Sequence, residues 1–187
     1  VSMIRPSCSL FISGGSTMEI VAQQLSRLST LCVITNNIHA ASHLYSNREI
    51  ELLMPSGRVR HHNGGIVGQG AIEFVEKFQA DCLLMGIGAI SPDGLLLDYD
   101  YEEAMLMNKM MSNAREKILV TDGSKFEKNA IALVGHLKDI TCLVTDQPPP
   151  GECSADIGGK QYLASNSCQA IAGTFIFALR YTCTQGT

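Results

Sequence analysis

Short apolar runs alternate along this chain with longer segments whose apolar residues recur at helical spacing. The run at residues 31–35 has strand length, whereas the segment that begins at Thr17 carries Ile20, Val21 and Leu25 on one helical face. Such alternation is typical of βα units, in which each crossover helix returns the chain to a parallel strand. The sequence therefore predicts an α/β fold with an open, mostly parallel sheet and flanking helices.

These elements can be followed in order through most of the chain. The predicted strands lie at residues 9–12, 31–35, 50–54, 81–87, 118–121 and 143–145. One helix is predicted to begin at residue 17, and the others are predicted at residues 37–45, 68–78 and 101–114. Between them, residues 56–65 are expected to form a long polar loop and residues 91–94 a turn.

Length and composition indicate one domain. With 187 residues, 45% of them apolar, the chain can bury one substantial core, and we interpret residues 1–150 as that domain. Residues 151–187 are predicted to be a divergent tail that packs on the domain or trails from it. We assign this tail no function, and within it residues 170–181 fit a strand and a helix equally well.

The charge balance argues against direct nucleic-acid binding. A formal net charge of -4 and a pI near 5.7 give no broad positive field to hold phosphates.

No apolar stretch reaches the roughly 18–20 residues that cross a bilayer, and the first residues lack the apolar run of a signal peptide. We therefore expect a cytoplasmic protein without membrane contacts, which reaches DNA only through another domain.

The seven cysteines indicate buried, reduced thiols. Cys32, Cys82 and Cys142 lie inside apolar runs, the count is odd, and no CxxC pair occurs. The adjacent His61 and His62 lack the i, i+4 spacing that lets two imidazoles share a helix face. We predict no metal site and no cofactor.

The first glycine-rich turn points to an anionic ligand. Gly15, Ser16 and Thr17 follow the first predicted strand and lead into a helix. Backbone N–H groups, the helix dipole and two hydroxyls could face one phosphate there. Alternatively, Ser16 or Thr17 only caps the helix.

Further small and polar residues follow other predicted strands, and the carboxyl ends of parallel strands meet at one sheet edge. The amides of Asn36 and Asn37, together with Thr35, could reach ligand hydroxyls, although Asn37 alone would be taken for a helix cap. Gly65 and Gly86 either let the backbone approach a ligand or only make tight turns.

An acid and a lysine complete the candidate site. Glu103 ends an acidic run that begins at Asp98, and its carboxylate could bind a hydroxyl, act as a base or only complement a helix dipole. Lys125 follows a predicted strand and could hold a phosphate as a point charge, or be a solvated surface charge.

Several longer motifs carry a resemblance to a known family. Between about residues 10 and 150 the chain contains, in this order, GGSTMEIV, ITNN, GRVRHHNGGIVG, GIGAISPDGLLLDYDYEEA, LVTDGSKF and TDQPPP. In order and spacing these motifs resemble the effector domains of DeoR-type transcriptional regulators, and within that family the glycerol-3-phosphate repressors.

The resemblance implies a fold similar to ribose-5-phosphate isomerase and glucosamine-6-phosphate deaminase, with the sugar-phosphate pocket used as a sensor. It matches residues 15–17 to the phosphate turn and residues 35–37 to the polar turn after the second strand. It matches Glu103 to the acidic position at a helix start and Lys125 to the lysine of a D-x-S-K motif. Ser13 departs from the family, which usually has aspartate there, and this leaves ligand preference open.

The expected function is therefore ligand sensing without catalysis. The resemblance implies a repressor domain that binds a phosphorylated sugar or polyol, glycerol 3-phosphate above all, and forms a homo-oligomer. The DNA-binding winged helix-turn-helix of the family is not found in this sequence.

The alternative is a sugar-phosphate isomerase with Glu103 as base and Lys125 stabilising an enediolate. The apolar GIGAI at residues 86–90, where the isomerases carry acids, argues against it.

Overall fold

The computed structural model describes residues 7–150 and 161–164. The strands are β1 (Ser9–Ile12), β2 (Leu31–Thr35), β3 (Ile50–Leu53), β4 (Arg58–Val59), β5 (Ile66–Val67), β6 (Ala80–Met85), β7 (Ala89–Ile90), β8 (Leu95–Asp98), β9 (Ala114–Val120), β10 (Ala132–His136), β11 (Cys142–Thr145) and β12 (Gln161–Ala164). The α-helices are α1 (Ser16–Leu25), α2 (Ile38–Leu44), α3 (Gln69–Val75) and α4 (Tyr101–Ser112). Two 3₁₀ helices span Gly123–Glu127 and Leu137–Asp139.

A parallel sheet of seven strands forms the centre of the molecule, in the order β12-β11-β9-β6-β1-β2-β3. Every neighbouring pair in it is parallel. The chain first builds outward from β1 to β3 and then returns to the other side of β1 with β6, β9 and β11. Strand order therefore reverses between β1 and β6, the kind of position where open α/β sheets leave a crevice for ligands.

Alternate residues of the central strands enter two separate cores. In β1, Leu10 and Ile12 pack toward α1 and α2, whereas Phe11 faces the opposite core with α3 and α4. In β6, Leu84 joins the first core and Leu83 the second. Burial on both faces explains why these strands are continuous apolar runs. The expected α/β fold with a mostly parallel sheet is confirmed.

Smaller strands beside the main sheet were not evident from the sequence. β7, β8 and β10 form an antiparallel sheet, with a bulge between Leu133 and Gly135. β4 and β5 form a hairpin, so the prediction of a long loop at residues 56–65 was wrong in part. Strands of two residues are too short to show a period, and apolar and polar residues do not alternate in β8 (LLLD). These strands depend on tertiary contacts, which the local sequence pattern does not reveal.

Several predicted boundaries also shift. α2 begins at Ile38 with Asn37 as its cap, α3 ends at Val75 rather than at residue 78, and β9 begins at Ala114 rather than at residue 118. β12 hydrogen-bonds with β11 and extends the main sheet within the segment predicted to be a divergent tail. The undecided segment at residues 170–181 lies outside the described residues. Within the described part of the chain, no helix has the length and apolar character to cross a membrane.

Asn37 joins two elements of the fold, and its removal provides a test. Its Oδ1 accepts hydrogen bonds from the N–H groups of His39 and Ala40, and its Nδ2 donates to the Gly15 carbonyl at 3.3 Å. We predict that Asn37→Ala lowers the free energy of unfolding by about 1–3 kcal/mol, because a helix cap and a buried hydrogen bond are both lost. The exposed Asn129→Ala should change it by less than about 0.5 kcal/mol. Equal effects in urea denaturation would contradict the structural role of Asn37.

Candidate functional site

A cavity of about 450 Å³ lies at the carboxyl ends of the central strands, where strand order reverses. Residues that follow β1, β2, β6 and β9 line it, together with residues of the β4–β5 connection and of α4. Its volume lies within the range of small-molecule sites. The polar and glycine residues of its lining include Gly14, Gly15, Ser16, Thr17, Glu19, Asn36, His39, Arg60, His62, Asn63, Gly86, Gly88, Asp98, Asp100, Glu103, Thr121 and Lys125.

The turn after β1 presents the start of α1 to this cavity. Gly15 adopts a φ of 100°, a conformation that side-chain-bearing residues rarely adopt, and no side chain of the described residues caps the helix. Ser16 and Thr17 open the helix and both line the cavity. An uncapped helix start offers N–H donors and the positive end of the dipole, so this wall of the cavity suits an anion.

Ser13 holds this turn against its neighbour. Its side chain is fully buried, its N–H donates to the Leu84 carbonyl at 3.0 Å, and its Oγ accepts from the Gly86 N–H at 3.3 Å. The hydroxyl thus ties the end of β1 to the turn after β6. At the position where the resembling family usually has aspartate, this chain uses a neutral side chain for a structural contact.

Lys125 reaches the same cavity from a separate part of the chain. It lies in the 3₁₀ helix after β9, whose start is capped by Asp122 through the Ser124 N–H at 3.0 Å. Among the described residues, no carboxylate forms a salt bridge with Lys125. Its charge is therefore not neutralised by a protein carboxylate in this part of the chain.

One wall of the cavity is acidic, and Arg60 pairs with two of its carboxylates. Arg60 Nη1 lies 3.3 Å from Asp100 Oδ2 and 3.0 Å from Glu103 Oε2. Asn63 Nδ2 donates to Glu103 Oε1 at 2.6 Å. Asp100 also caps α4 by accepting from the Glu103 N–H at 3.0 Å. The β4–β5 connection is thus tied to the start of α4, and both oxygens of Glu103 have partners.

Asp98 adds a third carboxylate to this wall. Its Oδ1 accepts from the N–H groups of Tyr99 and Asp100, at 2.7 and 3.4 Å. Burial, and then the charge of Glu103, raises the pKa of Asp98 above its ordinary value despite these two hydrogen bonds. The folded structure therefore disfavours the ionised form of Asp98.

Asn36 contributes an amide oxygen without a donor. The residue is 4% exposed, and its Nδ2 donates to the Ile66 carbonyl at 3.1 Å. Its Oδ1 is buried and has no hydrogen-bond partner in the described structure. Since buried polar atoms are rarely left unpaired, this oxygen is an acceptor that the described residues leave unsatisfied.

Seven of the ten residues predicted for the site line the cavity, namely Gly15, Ser16, Thr17, Asn36, Gly86, Glu103 and Lys125. The other three do not line it. Thr35 Oγ1 donates to the Ile12 carbonyl, Asn37 caps α2, and Gly65 packs where a Cβ would lie 2.9 Å from Glu103 Oε1. These three residues hold the turns that carry the lining residues.

Sequence reasoning missed Arg60 and Asn63, and it gave Asp98 no specific role. Arg60 and Asn63 fall in the segment predicted to be a loop, and nothing local shows that it folds onto α4. The motif GRVRHHNGG, with two arginines beside glycines, was the available signal. No group of three or more His, Cys, Asp or Glu side chains suited to a metal ion occurs in residues 7–150.

Comparison with known proteins yields a family and named relatives. Residues 1–147 match the family described as DeoR C terminal sensor domain. The HTH-type transcriptional repressor CsqR of Escherichia coli is 38% identical over 158 residues, 84% of this chain and 60% of that protein. The glycerol-3-phosphate regulon repressor of Haemophilus influenzae is 39% identical over 149 residues, 80% of this chain and 58% of that protein. The chain thus spans less than two thirds of these relatives.

Some solved structures are similar to this chain at low identity. A decarboxylase AibA/AibB variant matches with a TM-score of 0.50 and 11% identity, over 97% of this chain and 93% of that one, and this likeness concerns the fold alone. The ribose 5-phosphate isomerase of Plasmodium falciparum matches with a TM-score of 0.46 and 14% identity, over 66% of this chain and 47% of that one.

Two arginines of one hairpin allow a matched test of the acidic wall. We predict that Arg60→Gln lowers the free energy of unfolding by about 1–3 kcal/mol at neutral pH, since two partly buried carboxylates lose their cation. Arg58→Gln should cost less than about 1 kcal/mol, because the Arg58 side chain is 63% exposed and, among the described residues, pairs with Glu102 alone. Equal losses in urea denaturation would show that Arg60 does not organise this wall.

The raised pKa of Asp98 predicts a pH-dependent gain on its replacement. A carboxyl whose pKa is higher in the folded state favours folding below its unfolded-state pKa, and that contribution is lost as pH rises through the folded-state value. Asp98→Asn should therefore raise the melting temperature of the ligand-free chain at pH 7. The gain should shrink below about pH 4, where the unfolded-state carboxyl is also protonated. A variant less stable than wild type at pH 7 would contradict this.

Proposed function

This chain belongs to the DeoR C-terminal sensor domain family, and we propose that it senses a small phosphorylated sugar or polyol bound in the cavity described above. The observation that carries the proposal is that Lys125 and the uncapped start of α1 line the same cavity. These elements come from distant parts of the sequence. A helix start supplies directed N–H groups and Lys125 a mobile positive charge, a combination that suits a phosphate.

We assign the residues of the site to two ends of the ligand. The phosphate is bound by the turn at residues 15–17 and by Lys125, with Gly86 allowing close approach of the backbone. The hydroxyl-bearing part faces Asn36 and Glu103. Thr35, Asn37 and Gly65 position these turns without touching the ligand, in keeping with their internal contacts.

Glycerol 3-phosphate is the ligand we favour. The volume of about 450 Å³ suits a small metabolite. One relative at 39% identity is named a glycerol-3-phosphate regulon repressor. We further propose that the bound effector controls DNA binding by a separate module and changes the state of a homo-oligomer. The net charge of -4 is consistent with a sensor that does not itself hold DNA.

The arrangement of Glu103 favours sensing over isomerisation. A catalytic base must accept a proton from the substrate, but both oxygens of Glu103 already contact protein groups, Arg60 Nη1 and Asn63 Nδ2. The turn at residues 86–90 supplies no acid to assist. The relatives at 38% and 39% identity are named repressors. We propose that this site binds its ligand without turnover.

Affinity measurements on lysine variants test the anion site. We predict that Lys125→Ala weakens binding of glycerol 3-phosphate by roughly 10- to 150-fold, because a charge-assisted contact to the phosphate is lost. Ser16→Ala should weaken it less, since a neutral hydroxyl contributes less than an ammonium group. Isothermal titration calorimetry gives both values.

Lys128→Ala is the matched control, because Lys128 is exposed just beyond the same 3₁₀ helix and does not line the cavity. Its affinity should equal that of wild type. If Lys125→Ala and Ser16→Ala also bind like wild type, the anion site is misplaced. Turnover of ribose 5-phosphate that Glu103→Gln abolishes would instead establish an isomerase.

A further inference from the structure

Two acceptor oxygens on the cavity wall are left without donors. Asn36 Oδ1 is buried and has no partner among the described residues. The hydrogen bond from Nδ2 to the Ile66 carbonyl fixes the orientation of the side-chain amide and therefore the position of Oδ1. At Asp98, both hydrogen bonds from the backbone go to Oδ1, and no described residue donates to Oδ2. Both residues line the cavity.

These two oxygens differ from the carboxylate oxygens of Asp100 and Glu103. Glu103 already receives hydrogen bonds on both oxygens, and Asp100 is engaged by Arg60 and by the Glu103 N–H. Asn36 Oδ1 and Asp98 Oδ2 thus differ from the oxygens of Asp100 and Glu103, because no described residue donates to them. A donor on a ligand that occupies the cavity can satisfy such an acceptor.

We propose that Asn36 and Asp98 select the ligand by each accepting a hydrogen bond from one of its hydroxyl groups. The inference rests on the proposed function, since it concerns the hydroxyl-bearing part of the proposed ligand. It defines the ligand class as a phosphorylated polyol or sugar with at least two free hydroxyls. Among the residues described above, Asp98 is the specificity determinant that the sequence did not reveal.

The negative charge of the acidic wall disfavours a second anionic group on the ligand. Asp98, Asp100 and Glu103 face the cavity with Arg60 as the cation that pairs with two of them. A phosphorylated carboxylic acid would bring its carboxylate toward this wall and be repelled. The raised pKa of Asp98 fits a group kept for binding rather than for stability.

Calorimetric titration of the 187-residue chain tests the assignment with three probes: glycerol 3-phosphate, n-propyl phosphate and inorganic phosphate. n-Propyl phosphate has the same carbon count and phosphate as glycerol 3-phosphate but neither hydroxyl. Wild type should prefer glycerol 3-phosphate over n-propyl phosphate by at least about 10-fold, and Asp98→Asn should reduce that preference by about 10-fold. The affinity of the Asp98→Asn variant for inorganic phosphate should equal or exceed that of wild type, because a negative charge is removed.

Two further variants complete the design. Asn36→Ala should reduce the same preference, and the ratio of affinities for two ligands on one variant is independent of modest losses in stability. Asp139→Asn removes an equal charge at an exposed position outside the cavity and should leave the preference unchanged. 3-Phosphoglycerate should bind wild type more weakly than glycerol 3-phosphate, and Asp98→Asn should narrow that gap.

The outcomes separate the two levels of inference. If none of the phosphates binds wild type, the proposed function fails and this assignment fails with it. If glycerol 3-phosphate binds but the preference over n-propyl phosphate is absent, or is the same in Asp98→Asn, the anion site stands and the selection by Asp98 is overturned. A reduced preference in Asp98→Asn with intact phosphate binding supports it.

Discussion

The reversal of strand order between β1 and β6 is the constraint on which the rest of the structure depends. Since every pair in the main sheet is parallel, the turns after β1, β2, β6 and β9 emerge at one edge, and the reversal leaves a crevice between them. Residues 15–17 and Lys125, more than 100 positions apart in the sequence, meet there for this reason. The buried Ser13 holds the two strands in register at the point of divergence.

The lining of the cavity combines groups that suit an anion with groups that suit neutral donors. Among the described residues, α1 has no side-chain cap and Lys125 has no carboxylate partner, so both suit a phosphate. Asp98, Asp100 and Glu103 can accept hydrogen bonds, and Arg60 neutralises part of their charge while it fixes the β4–β5 connection against α4. A phosphorylated polyol carries both kinds of group, a charged phosphate and neutral hydroxyls.

Elements whose local pattern determines them could be predicted from the sequence. β1 and β2 are continuous apolar runs buried on both faces, and both were predicted with the bounds that the structure shows. Turns after strands of the parallel sheet gave six of the seven predicted cavity residues, because parallel topology alone brings such turns together. Arg60 and Asp98 escaped prediction, since their positions depend on the packing of a hairpin and a small antiparallel sheet against α4. No periodicity in the sequence encodes those tertiary contacts.

Amide chemical shifts of the ¹⁵N-labelled chain, followed while glycerol 3-phosphate is added, test most directly whether separate turns form one anion site. The convergence of these turns predicts that the amides at residues 15–17 and at Lys125 shift together, with a single dissociation constant. Shifts confined to one of these segments, or saturating at different concentrations in the two, would contradict a shared phosphate site.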